Sequence, residues 1–512
     1  GEKDTTPPKL ITANPPLFTK NFDQKEINLE FDEFFTLNQP QQNVIISPPL
    51  KYQAEYKVRG KKLKIHIDEP LKNNTTYTIN FGTTIKDYHE GNAKKGFKYV
   101  FSTGSYIDSL SVKGKIVNGR DLKPSSGVKV LLHNDLHDSA IYQERPFYYG
   151  LTDDEGTFEL DYLKKDNYRL YVLDDLNDDY RKDEGERFGY LNEHLKLKKD
   201  TTLKDIAVYQ EEPIEPEVIK SEELIPGKIR VEFNKPVDTF YYNFNWGSGI
   251  KKKSWQFSEF LAPTKDSALI WHDYIKADSI KSTIFNDNFS QTLKFYRGPA
   301  DTLSQQPFKI GSNFSDGSYI PGEKLQLRFP TPIASFNPGQ IMLLKDSVEI
   351  NRGFDFKLTS PAKRNLQINN QLKQDSSYRI KVEESAFQDM YGRLNQTFEQ
   401  TFHVENQNNY GVLSLNINKT NVKAPVVIYL HNDQDELVRK KYTVNSRKLK
   451  FNWLKPKKYY VRAVVDKNKN KLWDPGNFSL KTLPEPVVKY PEAIEIRAKW
   501  ELLDLEFEIK EK

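Results

Sequence analysis

The chain has 512 residues, too many for a single hydrophobic core, so its length predicts about three to five domains. It contains no cysteine, which excludes disulfides, thiolate metal sites and a cysteine nucleophile. Its 76 basic and 71 acidic residues are mixed along the chain, without the basic stripe typical of nucleic-acid binding, and no apolar run approaches the roughly 20 residues that span a bilayer.

The first predicted elements are short strands in which apolar and polar residues alternate. This alternation begins at residues 27–31 and returns at 229–233 and 325–329. A second segment, LKNNTTYTINF at 71–81, is matched by LKQDSSYRIKV at 372–382. Alternation with a period of two indicates half-buried strands, so these segments predict a repeated β domain.

A different repeat lies between the copies of the first. The tetrapeptide LHND ends an apolar run at 132–135 and again at 430–433. Residues 158–168 and 449–459 then align through Phe, Leu and Tyr positions. Ordered matches over such a length indicate a duplicated domain, in which LHND marks a strand end.

Together the repeats predict an all-β chain of five β-sandwich domains in series, since each copy has the usual sandwich length. The clearest boundary is the Pro/Glu-rich stretch EEPIEPEV at residues 211–218. The third domain is the most divergent. The predicted domains cover residues 1–105, 106–211, 212–304, 305–405 and 406–512.

A spaced pattern of Asp and Asn follows an apolar run in both copies of the second repeat. The first copy has Asp175, Asn177, Asp179, Asp183 and Glu186; the second has Asp466, Asn468, Asn470 and Asp474. The first copy matches the oxygen-ligand positions of an EF-type loop, so the pattern predicts calcium as a cofactor and favours the first copy. Tyr180 departs from that loop, which needs glycine there. The alternative is a polar loop closed by side-chain bonds to its own backbone.

The divergent third domain contains the aromatic run TFYYNFNW. Its binding candidates are Tyr241, Tyr242, Phe244 and Trp246, because aromatic side chains are enriched at binding surfaces. The alternative is packing of the same rings in the core. The run does not alternate cleanly in sequence, which predicts that some of its rings face outward.

No catalytic motif is present: the sequence lacks G-x-S-x-G, a P-loop and G-x-G-x-x-G. His133 and His431 repeat within LHND, which indicates a structural strand-end histidine. We therefore expect the chain not to be an enzyme, although chemistry hidden in residues 212–304 is a third alternative.

The N-terminal domain, with TTPPKLITANPP and INLEFDEFF, resembles bacterial Ig-like domains. The second, with VKGKIV and TDDEGTFELDYL, resembles the carboxypeptidase-regulatory-like or Cna-B-type sandwich, and residues 406–512 resemble a second copy that lacks the turn glycine. These resemblances imply Ig-like and prealbumin-like sandwiches.

The order of the domains, with GEKDTTPP at residues 1–8, resembles Bacteroidota lipoproteins. That resemblance implies a lipid-bearing cysteine upstream of Gly1 and attachment to the outer membrane, on its periplasmic or cell-surface face. The tripeptide Asp-Ser/Thr-(Ala/Ile/Leu/Val/Met/Thr) resembles the O-glycosylation signal of Bacteroidota envelope proteins, and the alternative is an ordinary turn. It predicts glycosylation at Thr5, Ser109, Ser139, Thr201, Ser267, Ser279, Thr302 and Ser347.

From these features we expect a non-catalytic accessory or scaffold subunit of an outer-membrane protein complex, such as a barrel-assembly, secretion or uptake machine. Its expected partners are the components of that complex and the membrane, and no nucleic acid. The alternative is a surface adhesin or glycan-binding protein that uses exposed aromatic residues.

Overall fold

The computed structural model describes residues 5–245, 255–261, 264–274, 277–296, 304–314, 316–350, 354–369, 371–445 and 447–510. These residues form strands and turns, with helices of at most four residues, which confirms the predicted all-β fold. The chain divides into two compact units. Unit 1 comprises Gly1–Glu211 with Trp473–Val487, and unit 2 comprises Glu212–Leu472 with Val488–Lys512.

The N-terminal domain of unit 1 has a four-stranded sheet of order β1-β2-β6-β5 and a three-stranded sheet of order β4-β7-β9, and both contribute to one core. Ile27, Leu29 and Phe31 are buried because β2 alternates as predicted. The elements are β1 Leu10–Asn14, β2 Glu26–Phe31, β3 Phe35–Leu37, α1 Pro40–Asn43, β4 Ile45–Ser47, β5 Glu55–Arg59, β6 Lys62–His66, β7 Thr76–Asn80, β8 Ile85–Asp87 and β9 Lys98–Ser102.

The second domain of unit 1 comprises β10 Leu110–Asn118, β11 Lys129–His133, α2 Ala140–Gln143, β12 Tyr148–Leu151, β13 Thr157–Leu163, β14 Asp166–Leu173, β15 Arg187–Tyr190, β16 Leu195–Leu197, β17 Thr201–Thr202 and β18 Ile206–Gln210. Strand β10 pairs antiparallel with β13 and parallel with β18. Strand β11 lies between β12 and β14. Because β14 pairs with β11, the loop that follows β14 lies beside β11.

Unit 2 begins with β19 Val218–Ile225, β20 Lys228–Phe233, β21 Tyr241–Asn245, β22 Gln256–Phe260, β23 Ser267–His272, β24 Ser279–Phe285 and β25 Ser290–Tyr296. It continues with β26 Gly311–Ser312, β27 Ser318–Tyr319, β28 Leu325–Arg328, β29 Ile333–Phe336, a 3₁₀ turn at Pro338–Gln340, β30 Ile341–Lys345, β31 Val348–Glu349, β32 Asp355–Leu358, β33 Asn365–Asn369, β34 Ser376–Val382, β35 Phe387–Asp389 and β36 Phe398–Val404.

The last strands are β37 Gly411–Thr420, β38 Val426–His431, β39 Leu437–Thr443, β40 Lys448–Leu454, β41 Lys458–Val465, β42 Val487–Lys489, β43 Ile494–Glu495 and β44 Glu501–Lys510, after a 3₁₀ turn at Gln407–Asn409. The sheet orders β19-β20-β23-β22 and β26-β28-β33-β32 repeat the order of the first sheet of the chain. The strand alternation seen three times in the sequence thus corresponds to three similar four-stranded sheets.

The two copies of the second repeat also share their backbone arrangement. Strand β37 pairs antiparallel with β40 and parallel with β44, as β10 does with β13 and β18. Both antiparallel pairs change register at their first residues. At the aligned positions Tyr162 and Trp453 the backbone is left-handed, with φ of 59° and 57°. The two copies therefore share their strand pairing and a local irregularity.

The copies of the first repeat at residues 71–81 and 372–382 share a turn. The Lys72 N–H donates to the Tyr77 hydroxyl over 2.9 Å, and the Lys373 N–H donates to the Tyr378 hydroxyl over 3.0 Å. The matching LK-x-x-x-x-Y sequences thus encode one hydrogen bond twice, which explains why the tyrosine is retained between them.

Five hydrophobic clusters form the cores of these sandwiches. Their buried residues lie within 22–101, 112–208, 218–295, 308–404 and 413–509. The bounds of the five domains proposed from the sequence stay a prediction. By its contacts the chain divides into two compact units.

The LHND histidine of unit 1 gives a prediction about pH. His133 is buried, its ring lies 5.5 Å from that of Tyr171, and its Nε2 has no hydrogen-bond partner among the described residues. Burial lowers the pKa of His133 to about 4; Lys72 adds to this and Asp135 opposes it.

Because the unfolded chain binds this proton near pH 6.5 and the folded chain only near 4, stability should fall as the pH falls through that window, by about 3 kcal/mol. In urea titrations between pH 7 and pH 4, His133→Leu should lose less stability than the native chain. His137→Leu, at an exposed position, serves as the control. Equal pH profiles for the native chain and His133→Leu would contradict the assignment.

Candidate functional site

The first Asp/Asn loop joins β14 to β15. The Asp175 side chain is completely buried, and its Oδ2 accepts hydrogen bonds from the Tyr180 N–H at 2.8 Å and from Lys129 Nζ at 2.7 Å. Glu186 accepts from the Leu176 N–H at 2.8 Å and also binds the Asp183 N–H. The carboxylates at both ends of the loop therefore bind its own backbone.

The second loop repeats this geometry. Asp466 Oδ2 accepts from the Lys471 N–H at 2.9 Å, and Asn470 Oδ1 accepts from the Leu472 N–H at 2.7 Å. Lys471 has a φ of 66° and the aligned Tyr180 a φ of 68°. The left-handed turn that an EF-type loop assigns to glycine is thus formed here by non-glycine residues, held by the first aspartate of each loop.

Lys129 distinguishes the two loops. It forms ion pairs with Asp175 and with Asp178. Burial opposes its charge, but the hydrogen bonds to these two carboxylates outweigh burial and raise the pKa of the ammonium group. In the second copy Val427 occupies the aligned strand position. The first loop therefore contains a protein cation beside its buried carboxylate.

Among the described residues, no group of three or more acidic or histidine side chains is arranged to hold a metal ion. In the second copy, moreover, Asp466, Asn468 and Asn470 belong to unit 2, whereas Asp474 belongs to unit 1. Calcium binding stays a prediction for both loops. In the first loop, an incoming calcium ion would compete with the Lys129 ammonium for Asp175.

The aromatic candidates lie on β21, where the described residues alternate. Tyr241 is exposed, whereas Tyr242 and Phe244 pack against the core of their sandwich. Trp246 lies outside the described residues. Phe240 precedes the strand, which begins at Tyr241. The adjacent aromatic residues Phe240 and Tyr241 therefore do not interrupt the alternation within β21. Of the described candidates, Tyr241 is the one that the structure places at the surface.

The glycosylation candidates differ in accessibility, and their modification stays a prediction. Exposed positions are Thr5, Ser109, Ser139 and Ser347; half-buried positions are Thr201, Ser267 and Ser279, each within a strand; Thr302 lies outside the described residues. Since a glycosyltransferase needs an accessible hydroxyl, the four exposed positions are the better acceptors.

Sequence reasoning missed the closing segment, which we define as Trp473–Val487. It was placed in the last domain, but it belongs to unit 1. Its Phe478 is 2% exposed, and the ring centroid lies 5.6 Å from Tyr171, 5.4 Å from Phe188 and 5.0 Å from Tyr190. These four rings form what we call the Phe478 cluster. A segment distant in sequence thus completes a core on the surface of the second domain.

Polar contacts fix the closing segment. The Phe478 N–H donates to Glu211 over 2.5 Å, the Tyr190 hydroxyl donates to the Thr482 carbonyl over 3.2 Å, and Lys481 lies over the Phe478 ring. Lys481 also pairs with Asp138. A Cβ at Gly476 would lie 2.4 Å from the Tyr209 hydroxyl, so close packing requires glycine there.

Comparison with known proteins agrees with the β-sandwich architecture. The class is an all-β chain of tandem Ig-like sandwiches, and residues 4–103 match the bacterial Ig-like domain family. No curated protein matches the chain.

Among solved structures, domains A168–A170 of titin match at 10% identity over 56% of this chain and 100% of that one, with a TM-score of 0.16. The BcpA major pilin subunit of Bacillus cereus matches at 10% identity over 79% and 100%, and the S-layer protein rSbsC at 10% over 96% and 67%, both with TM-scores of 0.16. These low scores support no inference about function.

Proposed function

We propose that the chain is a non-catalytic scaffold subunit of a cell-envelope protein assembly. The observation that carries this proposal is the closure of unit 1, in which the closing segment from far along the chain completes the Phe478 cluster. A sandwich closed in this way keeps its loops in fixed positions, which suits a subunit that holds other proteins.

The groups that the sequence offered for chemistry are directed into the protein instead. Asp175 and Asp466 bind backbone N–H groups of their own loops, and His133 is buried with its pKa lowered by desolvation. Catalysis needs such groups to be directed at a substrate rather than at the backbone. Their arrangement supports a binding or structural role.

The finer assignment rests on resemblance. Residues 1–8 and the domain order resemble Bacteroidota lipoproteins, from which we infer an anchor upstream, outer-membrane location and a role in barrel assembly, secretion or uptake. Among the described residues, no helix has the length and apolar character needed to cross a bilayer. The alternative role as a glycan-binding adhesin retains Tyr241 as its exposed aromatic on β21.

Affinity purification of the tagged chain from native membranes tests the scaffold role. We expect one or a few envelope proteins to be recovered in fixed stoichiometry with the native chain. Leu480→Ala, exposed on the closing segment, should recover the same proteins, while Phe478→Ala should lose them as unit 1 loosens. Recovery of the chain alone, in mild detergent and after crosslinking, would contradict a scaffold role.

A further inference from the structure

Unit 1 contains a cleft of about 450 Å³ between its two sandwich domains. One wall comes from the second domain and includes Lys129, Arg145 and Tyr180; the other comes from the N-terminal domain and includes Tyr52 and Tyr56. The volume is large enough for a small polar ligand or the end of a larger one. The scaffold role makes no use of this cleft.

The wall from the second domain is fixed before any ligand arrives. The Tyr180 ring lies 4.8 Å from that of Tyr149, with Lys129 at 4.4 Å and Arg145 at 5.4 Å from its centroid. Arg145 also donates to the Leu50 carbonyl across the cleft over 2.5 Å. Aromatic and donor groups therefore have set positions, which lowers the entropic cost of binding.

The cleft also contains an unpaired acceptor. Asp175 lines it with a completely buried side chain, and its Oδ1 has no hydrogen-bond partner among the described residues. Its other oxygen is already bound by Lys129 and Tyr180. Because that oxygen has no exposed surface, a ligand reaches it only if the wall opens, so the groups that meet a ligand first are those on the exposed side of the cleft.

The N-terminal wall adds amide and phenol groups. Tyr52 is 58% exposed, and its backbone is held by Glu69, which accepts the Tyr52 N–H at 2.7 Å. The cleft is also lined by Gln41, Gln42 and Gln53. Amide side chains both donate and accept, and a tyrosine ring offers an apolar face, a combination that matches hydroxyl groups set around an apolar ring.

We propose that this cleft binds a neutral saccharide. The lining carries charges of both signs, so neither a small anion nor a small cation meets a wall of one opposite charge; the charged residues are Lys51, Lys129, Arg145, Asp175 and Asp178. A saccharide hydroxyl can accept from Arg145 and bond to the glutamine amides, while the sugar ring packs on tyrosine. The proposal goes beyond the scaffold role and does not depend on it.

A saccharide array probed with the native full-length chain tests this, followed by calorimetric titration of each saccharide retained. Tyr52→Ala should weaken binding by about tenfold or more, because the ring is exposed and supplies contact area without supporting the core. Tyr88→Ala is the matched control, since Tyr88 is 63% exposed on the same domain and does not line the cleft. Melting temperatures check that both variants fold.

Several results would overturn the proposal. The proposal is wrong if the native chain retains no saccharide. It is also wrong if Tyr52→Ala leaves binding unchanged, or if Tyr88→Ala weakens binding as much as Tyr52→Ala does. Retention of peptides or calcium with no retention of saccharides would assign the cleft to a different ligand. The purification experiment is unaffected by any of these results, so the two proposals fail independently.

Discussion

Replacing Phe478 by alanine is expected to lower the free energy of unfolding of unit 1 by about 3–5 kcal/mol, the usual cost of removing a buried phenyl ring. The ring is 2% exposed and lies among Tyr171, Phe188 and Tyr190. Its removal leaves a cavity and also loosens the closing segment, whose other contacts include the packing of Gly476 on Tyr209, single hydrogen bonds and a surface ion pair. Urea denaturation followed by fluorescence measures the change.

Leu480→Ala gives the comparison for Phe478→Ala. Leu480 lies on the same segment but is 56% exposed, so its truncation should change stability by no more than about 0.5 kcal/mol. If the two variants were equally stable, the aromatic packing of Phe478 would not be what holds the segment in unit 1.

Replacing Lys129 by methionine is expected to cost about 3–5 kcal/mol, because it leaves the Asp175 carboxylate buried without its cation. The Asp175 side chain is completely buried and that of Lys129 is 8% exposed, so water cannot replace the ammonium group without opening the loop. The double variant Lys129→Met/Asp175→Asn should recover much of the loss, because it removes both charges together.

Asp178→Asn is the control for the lysine, since Asp178 pairs with the same ammonium group but its side chain is 83% exposed. It should cost less than about 1 kcal/mol. A Lys129→Met chain as stable as the native one would contradict the pairing described here. Restoration of Lys129→Met by calcium would show that the first loop accepts a metal once the ammonium is removed.

The sequence predicted well what depends on neighbours along the chain. Ile27, Leu29 and Phe31 are buried as their alternation indicated, and the LHND repeats lie on matching strands β11 and β38. The alternative of Asp/Asn side chains binding their own backbone could also be read from spacing, because these bonds join residues two to five apart.

What the sequence did not predict depends on contacts between distant residues. Nothing near Phe478 indicates Tyr171 or Tyr190 as its neighbours, since these residues lie in another domain. One local feature was also not predicted: residue type assigns the left-handed turn at position 180 to glycine, whereas Tyr180 adopts it because its N–H donates a hydrogen bond to Asp175. The partner of Asp175, Lys129, lies on a strand that precedes the loop by more than one element.

Placement of the closing segment in unit 1 is most directly tested by crosslinking, which the absence of cysteine makes specific. Asp138→Cys and Lys481→Cys would be introduced together in the full chain, since these side chains pair in the structure, and treated with a short bifunctional thiol reagent. We expect an efficient intramolecular crosslink, found by mass spectrometry of the 138–481 peptide pair and weakened by Phe478→Ala. Two singly modified cysteines without a crosslink would contradict the assignment of Trp473–Val487 to unit 1.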